Sequence, residues 1–340
     1  VYTEYAAAND LSITHVLETH IHADYASGAR ELAHATGAEL RVSGHDQGED
    51  FEVTFPHRDF VDGESFDVGD MRITALHTPG HTPEHLSFLV HELNRGCRPM
   101  ALLSGDFVFV GSLGRPDLLG EAAKRRLAEQ LYTSTHEKIR SLPDGVEVHP
   151  AHGAGSLCGA GMSERPQSTL GYERACNVYF AESDRGRFVD LILGSVPEFP
   201  EYYKRMKRIN SEGPALLDEL PGGLRGNPEM PLEEFRREAQ KPEAVVIDLR
   251  RPEAFGGGHI PGSLNIGGDQ NLSTWAAWVV PYDRPIFLVG EEQTEFHARR
   301  ALVRVGLDNV RGTLKGGFKA WMLAGHPVAH VQQISVNELA

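Results

Sequence analysis

With 340 residues, 40% apolar and 24% charged side chains, the chain has an ordinary globular composition and enough length for two hydrophobic cores. A net charge of −15 disfavours nucleic acid and anionic membrane surfaces, and no apolar run is long enough to cross a bilayer. The three cysteines (Cys97, Cys158, Cys176) are odd in number and contain no Cys-x-x-Cys, which argues against a disulfide framework or zinc knuckle and suits a reducing cytoplasm.

In chain order, residues 5–9 suit a short helix, 13–18 a buried strand, and 27–35 a helix stopped by Gly37. Between that strand and helix lies Thr19-His20-Ile21-His22-Ala23-Asp24-Tyr25, which puts metal-competent side chains where a strand opens into a loop. Further strands are expected at 39–42, 71–76, 86–90, 100–104 and 146–148, with short strands and turns from 51 to 70. The strand at 71–76 runs into His77-Thr78-Pro79-Gly80-His81-Thr82-Pro83-Glu84-His85. Its prolines and Gly80 forbid a helix, so it reads as a rigid turn with His81 aimed at a ligand. The strand at 100–104 ends in Gly105-Asp106, and the one at 146–148 in His149-Pro150-Ala151-His152. Four strand ends thus deliver His20 and His22, His81, Asp106 and His152, and such recurrence is what a shared metal centre requires.

A glycine-rich loop over 111–119 carries Arg115-Pro116-Asp117, and 121–142 reads as one long charged amphipathic helix. From 166 to 214 the pattern is helical. The run Tyr202-Tyr203-Lys204-Arg205-Met206-Lys207-Arg208 reads as a solvated basic face, with attraction of an anionic substrate tail as the alternative. Residues 221–229 are the clearest linker. Beyond it, alternating helix (231–239), strand (244–249), strand (286–289) and helix (295–305) predict a small parallel α/β domain.

The ordered set His-x-His-x-Asp, Thr-Pro-Gly-His, Ser-Gly-Asp and Pro-Ala-His-Gly resembles the metallo-β-lactamase fold, an αββα sandwich. The Gly111–Leu118 and His152–Gly159 loops resemble its persulfide dioxygenase branch, particularly fusions with rhodanese domains. The resemblance implies a catalytic domain over 1–220, a rhodanese-like domain over 230–330, and in 331–340 the start of another. It also places the first strands of the sandwich before Val1. Rhodaneses carry a catalytic Cys after the strand at 286–289, where this chain has Gly290-Glu291-Glu292-Gln293-Thr294-Glu295. With no thiolate, and with Glu291, Glu292 and Glu295 repelling anions, that domain is expected to be catalytically dead.

Dinuclear hydrolases of the fold read His-x-His-x-Asp-His, whereas Tyr25 stands at the last position here, so the second metal site is expected to be empty. By the resemblance, His20, His81 and Asp106 hold a single Fe(II), a donor set suited to O2 chemistry. His22 would be a further ligand, Asp24 and Tyr25 would stand beside the site, and His152 would add polarity. Zinc can occupy the same donors in isolated protein. Arg115 is expected either to hold an anionic substrate or to form a structural ion pair with Asp117. The implied reaction converts a low-molecular-weight persulfide and O2 to sulfite and thiol; the rival is a zinc-dependent thioester hydrolase of the glyoxalase II kind. A homodimer and a sulfurtransferase domain or partner are compatible with either. His15, His34, His45, His57, His91 and His136 read as ordinary histidines.

Overall fold

The computed structural model describes all residues except 97, 197, 222, 224–228, 291, 333, 335 and 340, and leaves aside the side chains of 292–296, 336 and 339. The chain divides into two units, Val1–Gly213 and Pro214–Ala340. Part of the segment read as a linker lies outside the described residues.

The first unit is layered, and its apolar side chains dictate the layers. Strands β1 (His15–Leu17), β2 (Glu39–Ser43) and β3 (Arg58–Phe60) form a parallel sheet. Its outer face packs Val16, Leu40 and Val42 against Ala29, Leu32 and Ala33 of the Ala29–Thr36 helix. That helix stops where Gly37 takes φ 70°, a left-handed cap that favours glycine. A second sheet contains β4 (Ser65–Val68), β5 (Met71–His77), β6 (Leu86–Glu92), β7 (Pro99–Gly105), β10 (Glu147–Pro150) and β11 (Ser168–Thr169), in the order β11-β10-β7-β6-β5-β4. Between β7 and β10 in the chain, a separate ribbon pairs β8 (Val108–Phe109) with β9 (Ser112–Leu113).

Phe60, Ala75, Leu86 and Phe88, with Leu17 and Phe66, fill the space between the two sheets. On the far side of the larger sheet, Leu89, Leu102 and Val148 meet Ala128 and Leu131 of the Glu121–Thr133 helix and Phe188, Val189 and Ile192 of the Arg185–Ser195 helix. Helix, sheet, sheet, helix is the expected αββα order. Antiparallel pairing of β5 with β6 and β6 with β7, and parallel pairing of β7 with β10, makes β5, β7 and β10 run the same way. Their C-terminal ends therefore open on one edge.

The helix expected over 121–142 is regular only to Thr133 and continues as a π-turn, Ser134–Lys138. Hydroxyls explain the change: Thr133 and Thr135 donate to the carbonyls four residues back, Glu129 and Leu131, which competes with α-helical spacing. Ser134 instead donates to the Pro79 carbonyl at 2.7 Å and so ties the helix to the Thr78–His85 turn.

The second unit is a five-stranded parallel sheet, β12 (Glu229–Met230), β13 (Val245–Asp248), β14 (Leu264–Asn265), β15 (Ile286–Val289) and β16 (Val310–Leu314), in the order β12-β16-β15-β13-β14. Phe235, Val246, Phe287, Val289, Leu314 and Trp321 form a core. Gly290 follows β15 and is buried, whereas Glu291 and the side chains of Glu292 and Glu295 lie outside the described residues.

One close approach in the first unit is set by glycine alone. A Cβ on Gly114 would stand 1.8 Å from the Asp106 carbonyl oxygen, so Gly114→Ala must push the 106–114 loops apart. Overpacking of this kind costs about 1–3 kcal/mol. The expected result is a lower urea midpoint than wild type, and an unchanged midpoint would show that these loops have slack.

Candidate metal centre

Each ligand-bearing loop begins at a strand end and is oriented by a bond to something rigid. His20 follows β1 and is 3% exposed, with its Nδ1 2.9 Å from Thr19 Oγ1 and its Nε2 facing inward. His81, 1% exposed, donates from Nδ1 to the Arg115 carbonyl at 2.9 Å, which leaves the Nε2 lone pair turned into the site. Asp106, directly after β7, is fully buried, with Oδ2 3.7 Å from His20 Nε2 and 3.4 Å from His81 Nε2. The three side chains offer ligand atoms within 4.8 Å of one another.

The donor chemistry fits a cation. His81 Nε2 and His22 Nδ1 are buried polar atoms that make no hydrogen bond, a costly state for imidazole nitrogens unless a ligand completes them. Burial pushes His81 down to about 4, against the opposing pull of Asp106, and lowers His20 well below its ordinary value, so both rings are neutral donors at pH 7. Burial alone would raise Asp106. The bond from His152 and the nearby imidazoles more than offset it and hold the carboxyl far below the usual range.

His22 lies outside the three-residue set but adjoins it, its ring 4.3 Å from His20. Its Nε2 is 3.1 Å from Glu18 and 3.2 Å from the Tyr25 hydroxyl, so a proton held there leaves Nδ1 as the donor. Tyr25 stacks on His22 at 4.5 Å. Burial, then the Glu18, Asp24 and Asp106 carboxylates, raise its phenol above its ordinary value, which keeps it protonated. His152 spans two carboxylates: Nδ1 is 2.8 Å from Asp106 and Nε2 3.0 Å from Asp24. Burial works against its charge, yet bonds to Asp106, Asp24 and Cys158 hold it far above its ordinary value. Asp24, His152 and Cys158 also bring ligand atoms within 4.8 Å, but His152 shares a proton with a carboxylate on each side.

The Metallo-beta-lactamase superfamily description matches residues 3–152, and the Rhodanese-like domain matches residues 231–324. A crystal structure of a metallo-beta-lactamase from Staphylococcus aureus subsp. aureus COL is 36% identical, covers 92% of this chain and 87% of its own, and superposes with a TM-score of 0.79. The chain belongs to the metallo-beta-lactamase superfamily. A hydroxyacylglutathione hydrolase of Prochlorococcus marinus (strain NATL1A) is 32% identical over 143 residues, 42% of this chain and 52% of that protein. The chain thus spans about half the length of the curated relatives it matches first. The crystal structure of ETHE1 from Myxococcus xanthus, 24% identical with a TM-score of 0.50 over 62% of this chain and 81% of its own, shares the fold.

Within this superfamily site, Arg115 is buried behind the ligands. It is 1% exposed, forms a two-pronged pair with Asp117 at 2.7 and 2.8 Å, and donates to the Leu157 carbonyl at 3.0 Å. Its main chain accepts from His81 and donates to the Cys158 carbonyl at 3.1 Å, so the residue joins the 111–118 and 152–159 loops behind the ligands. The guanidinium therefore makes the ion pair with Asp117 that was one of its two expected roles.

Three contributors escaped the sequence reading. His85 is fully buried, accepts the Asp106 amide proton on Nε2 at 3.0 Å, lies 2.9 Å from Thr78 Oγ1 through Nδ1, and stacks on His20. Its signal was a third His in the Pro-Gly turn. Glu18 orients His22 and also accepts from Ser27. Cys158, 1% exposed, has a thiol that burial and the Asp106 carboxylate push up to about 12, and only its place six residues after His152 hinted at the site.

The buried imidazoles make stability depend on pH. In the metal-free form, His81 and His85 (pushed by burial down to about 4 and about 3) add stability above their unfolded value of 6.5 that is lost as pH falls toward those values. His152, raised, adds stability that is full below 6.5 and lost as pH rises. The urea midpoint of metal-free protein is therefore expected to peak near neutrality and fall on both sides, and a steady rise from about pH 5 to about pH 8 would show that His152 is uncharged. Separately, none of the three cysteines falls in the rhodanese-like unit. The full chain should give no thiocyanate from thiosulfate and cyanide above a heat-killed control.

Proposed function

We propose that this chain is an iron-dependent persulfide dioxygenase that converts a low-molecular-weight persulfide, O2 and water into the parent thiol, sulfite and two protons. The observation that carries the reading is Tyr25. A protonated phenol fills the place beside Asp24 where a second-metal ligand would be needed, and Asp24 itself is bound to His152. That leaves one compact set of two imidazoles and one carboxylate, His20, His81 and Asp106. Iron held by His20, His81 and Asp106 would supply the capacity to bind and activate O2 and a sulfur anion.

The chain's own residues supply placement and charge. The Arg115 carbonyl and Thr19 hydroxyl fix two ring directions, and the amide bond to His85 fixes the start of the Asp106 side chain. His152, charged between two carboxylates, puts a cation beside the centre where anionic sulfur oxygens develop. It also lines a groove of about 490 Å³ with Pro150, Ala151, Gly153, Ala154, Glu164, Arg165 and Pro166, wide enough for the carrier part of a small thiol. Cys158 and Cys176, which are unpaired, suit a reducing compartment, and the rhodanese-like unit, lacking a thiol, suits docking of a sulfurtransferase rather than transfer of its own.

A second reading, zinc-dependent thioester hydrolysis, is favoured by the name of the hydroxyacylglutathione hydrolase relative. The two separate in one paired measurement on wild type and Tyr25→His at equal metal loading: O2 uptake with glutathione persulfide and hydrolysis of S-lactoylglutathione. The dioxygenase reading expects one metal per chain, oxygen uptake by the wild type, equal or lower uptake by the variant, and little hydrolysis by either. A wild type inert to every persulfide, beside a variant that holds two zinc ions and hydrolyses the thioester, would establish the rival.

A further inference from the structure

The segment from Glu18 to Gly28 carries His20, His22 and Asp24, yet it contains no helix or strand. Its main-chain groups must find partners elsewhere. The Thr19 carbonyl accepts from the Leu86 amide at 2.7 Å, and side chains from two other parts of the first unit hold residues 21–27. Glu84, in the Pro-Gly turn, accepts the Ile21 amide proton at 2.8 Å. Lys207, on the Tyr202–Glu212 helix, donates to the Ile21 carbonyl at 3.0 Å. Asn210, one turn further along, donates to the His22 carbonyl at 2.9 Å and the Tyr25 carbonyl at 2.7 Å, and accepts the Ser27 amide at 2.8 Å.

These anchors are interior groups. Glu84 is 3% exposed, Lys207 2% and Asn210 6%, and the first two line a small pocket with Ile21, Phe51, Pro83 and Leu119. The basic stretch of this helix is thus split. Lys204 and Arg208 face solvent, but Lys207, on the same side as Tyr203 and Met206, points into the loop. This corrects the reading of the run as a wholly solvated face. Burying an ammonium and a carboxylate costs several kcal/mol each before pairing, so apolar residues would serve bare stability better. What charge supplies is a short, directed bond to each side of one residue.

We propose that Glu84 and Lys207 are positioning residues for the metal centre, clamping the Ile21 N–H and C=O so that the flanking His20 and His22 imidazoles point at a common cation, with Asn210 fixing the stretch that carries Asp24. The two peptide planes meeting at Ile21 set the directions of both flanking side chains. Thr19 and Glu18 then fix only the ring rotations. This role depends on the metal centre and not on which reaction the centre serves.

The test titrates the metal-free full chain with Co(II) and reads affinity and visible d–d absorption, with thermal unfolding of each metal-free variant as the check on folding. Lys207→Met and Glu84→Leu are expected to weaken Co(II) binding about 10- to 100-fold and to change the absorption bands, the scale seen when groups supporting metal ligands are removed. Glu84→Gln keeps an acceptor for the Ile21 amide and should stay close to wild type in both readouts. Should Lys207→Met fail to fold, Asn210→Ser, which removes the side-chain amide that donates to the His22 and Tyr25 carbonyls without altering a buried charge, is read in the same titration and is expected to weaken Co(II) binding. Folded variants with wild-type affinity and bands would overturn the positioning role alone. A wild-type chain that takes up no Co(II) would overturn the centre and this inference together.

Discussion

A carboxylate with no solvent exposure must be surrounded by groups that want its charge, and the first unit is arranged around how Asp106 meets that demand. His152 bonds to it, His20 and His81 bring their Nε2 atoms to 3.7 and 3.4 Å from it, and His85 takes its amide proton. These imidazoles come from three different loops, so one buried anion requires separate connections to converge. That convergence is possible because β5, β7 and β10 run the same way and β1 of the other sheet ends beside them. The same negative charge that would be intolerable alone is what makes the cluster a cation site.

Much of this was legible in the sequence for a physical reason. Buried strands are read from apolar runs, and ligands at their ends are read from the abrupt change to His and Asp. His20, His81, Asp106 and His152 all sit at such changes, and the structure brings them together. The layered architecture followed from the same runs. Illegible were the residues whose role depends on a partner far along the chain. Lys207 contacts a residue 186 positions away, and nothing in a basic helical stretch says which lysine turns inward. Arg115 showed the opposite ambiguity: a Gly-Arg loop fits substrate capture and a structural pair equally until Asp117 and the Leu157 carbonyl are seen to occupy the guanidinium. The π-turn after Thr133 was hidden too, because hydroxyl back-bonding acts below the level of periodicity.

Tyr25 shows how one substitution redistributes the chemistry of a site. An imidazole there could donate a lone pair to a metal. The phenol instead stacks on His22, keeps its proton because of burial and then the nearby carboxylates, and leaves Asp24 to His152. His152 in turn becomes a charge-bearing bridge between Asp24 and Asp106 rather than a neutral donor.

The distribution of buried charge in the first unit follows from the absence of ladder bonding at the strand ends. Arg115, Lys207, Glu84 and Asp106 are all within 3% of full burial: the Glu84 carboxylate and Lys207 ammonium bond to Ile21, the Asp106 carboxylate to His152, and the Arg115 guanidinium to Asp117 and the Leu157 carbonyl. A sheet satisfies its backbone through regular pairing, whereas the loops that carry the ligands cannot. Charged side chains reaching in from the Pro-Gly turn, the 111–118 loop and the Tyr202–Glu212 helix replace that pairing with bonds that are individually stronger and directional. Their desolvation lowers the stability such a fold could otherwise reach, but it leaves the loop few other arrangements. A metal entering this site therefore meets ligands already held in place, and less of its binding energy is consumed in ordering them.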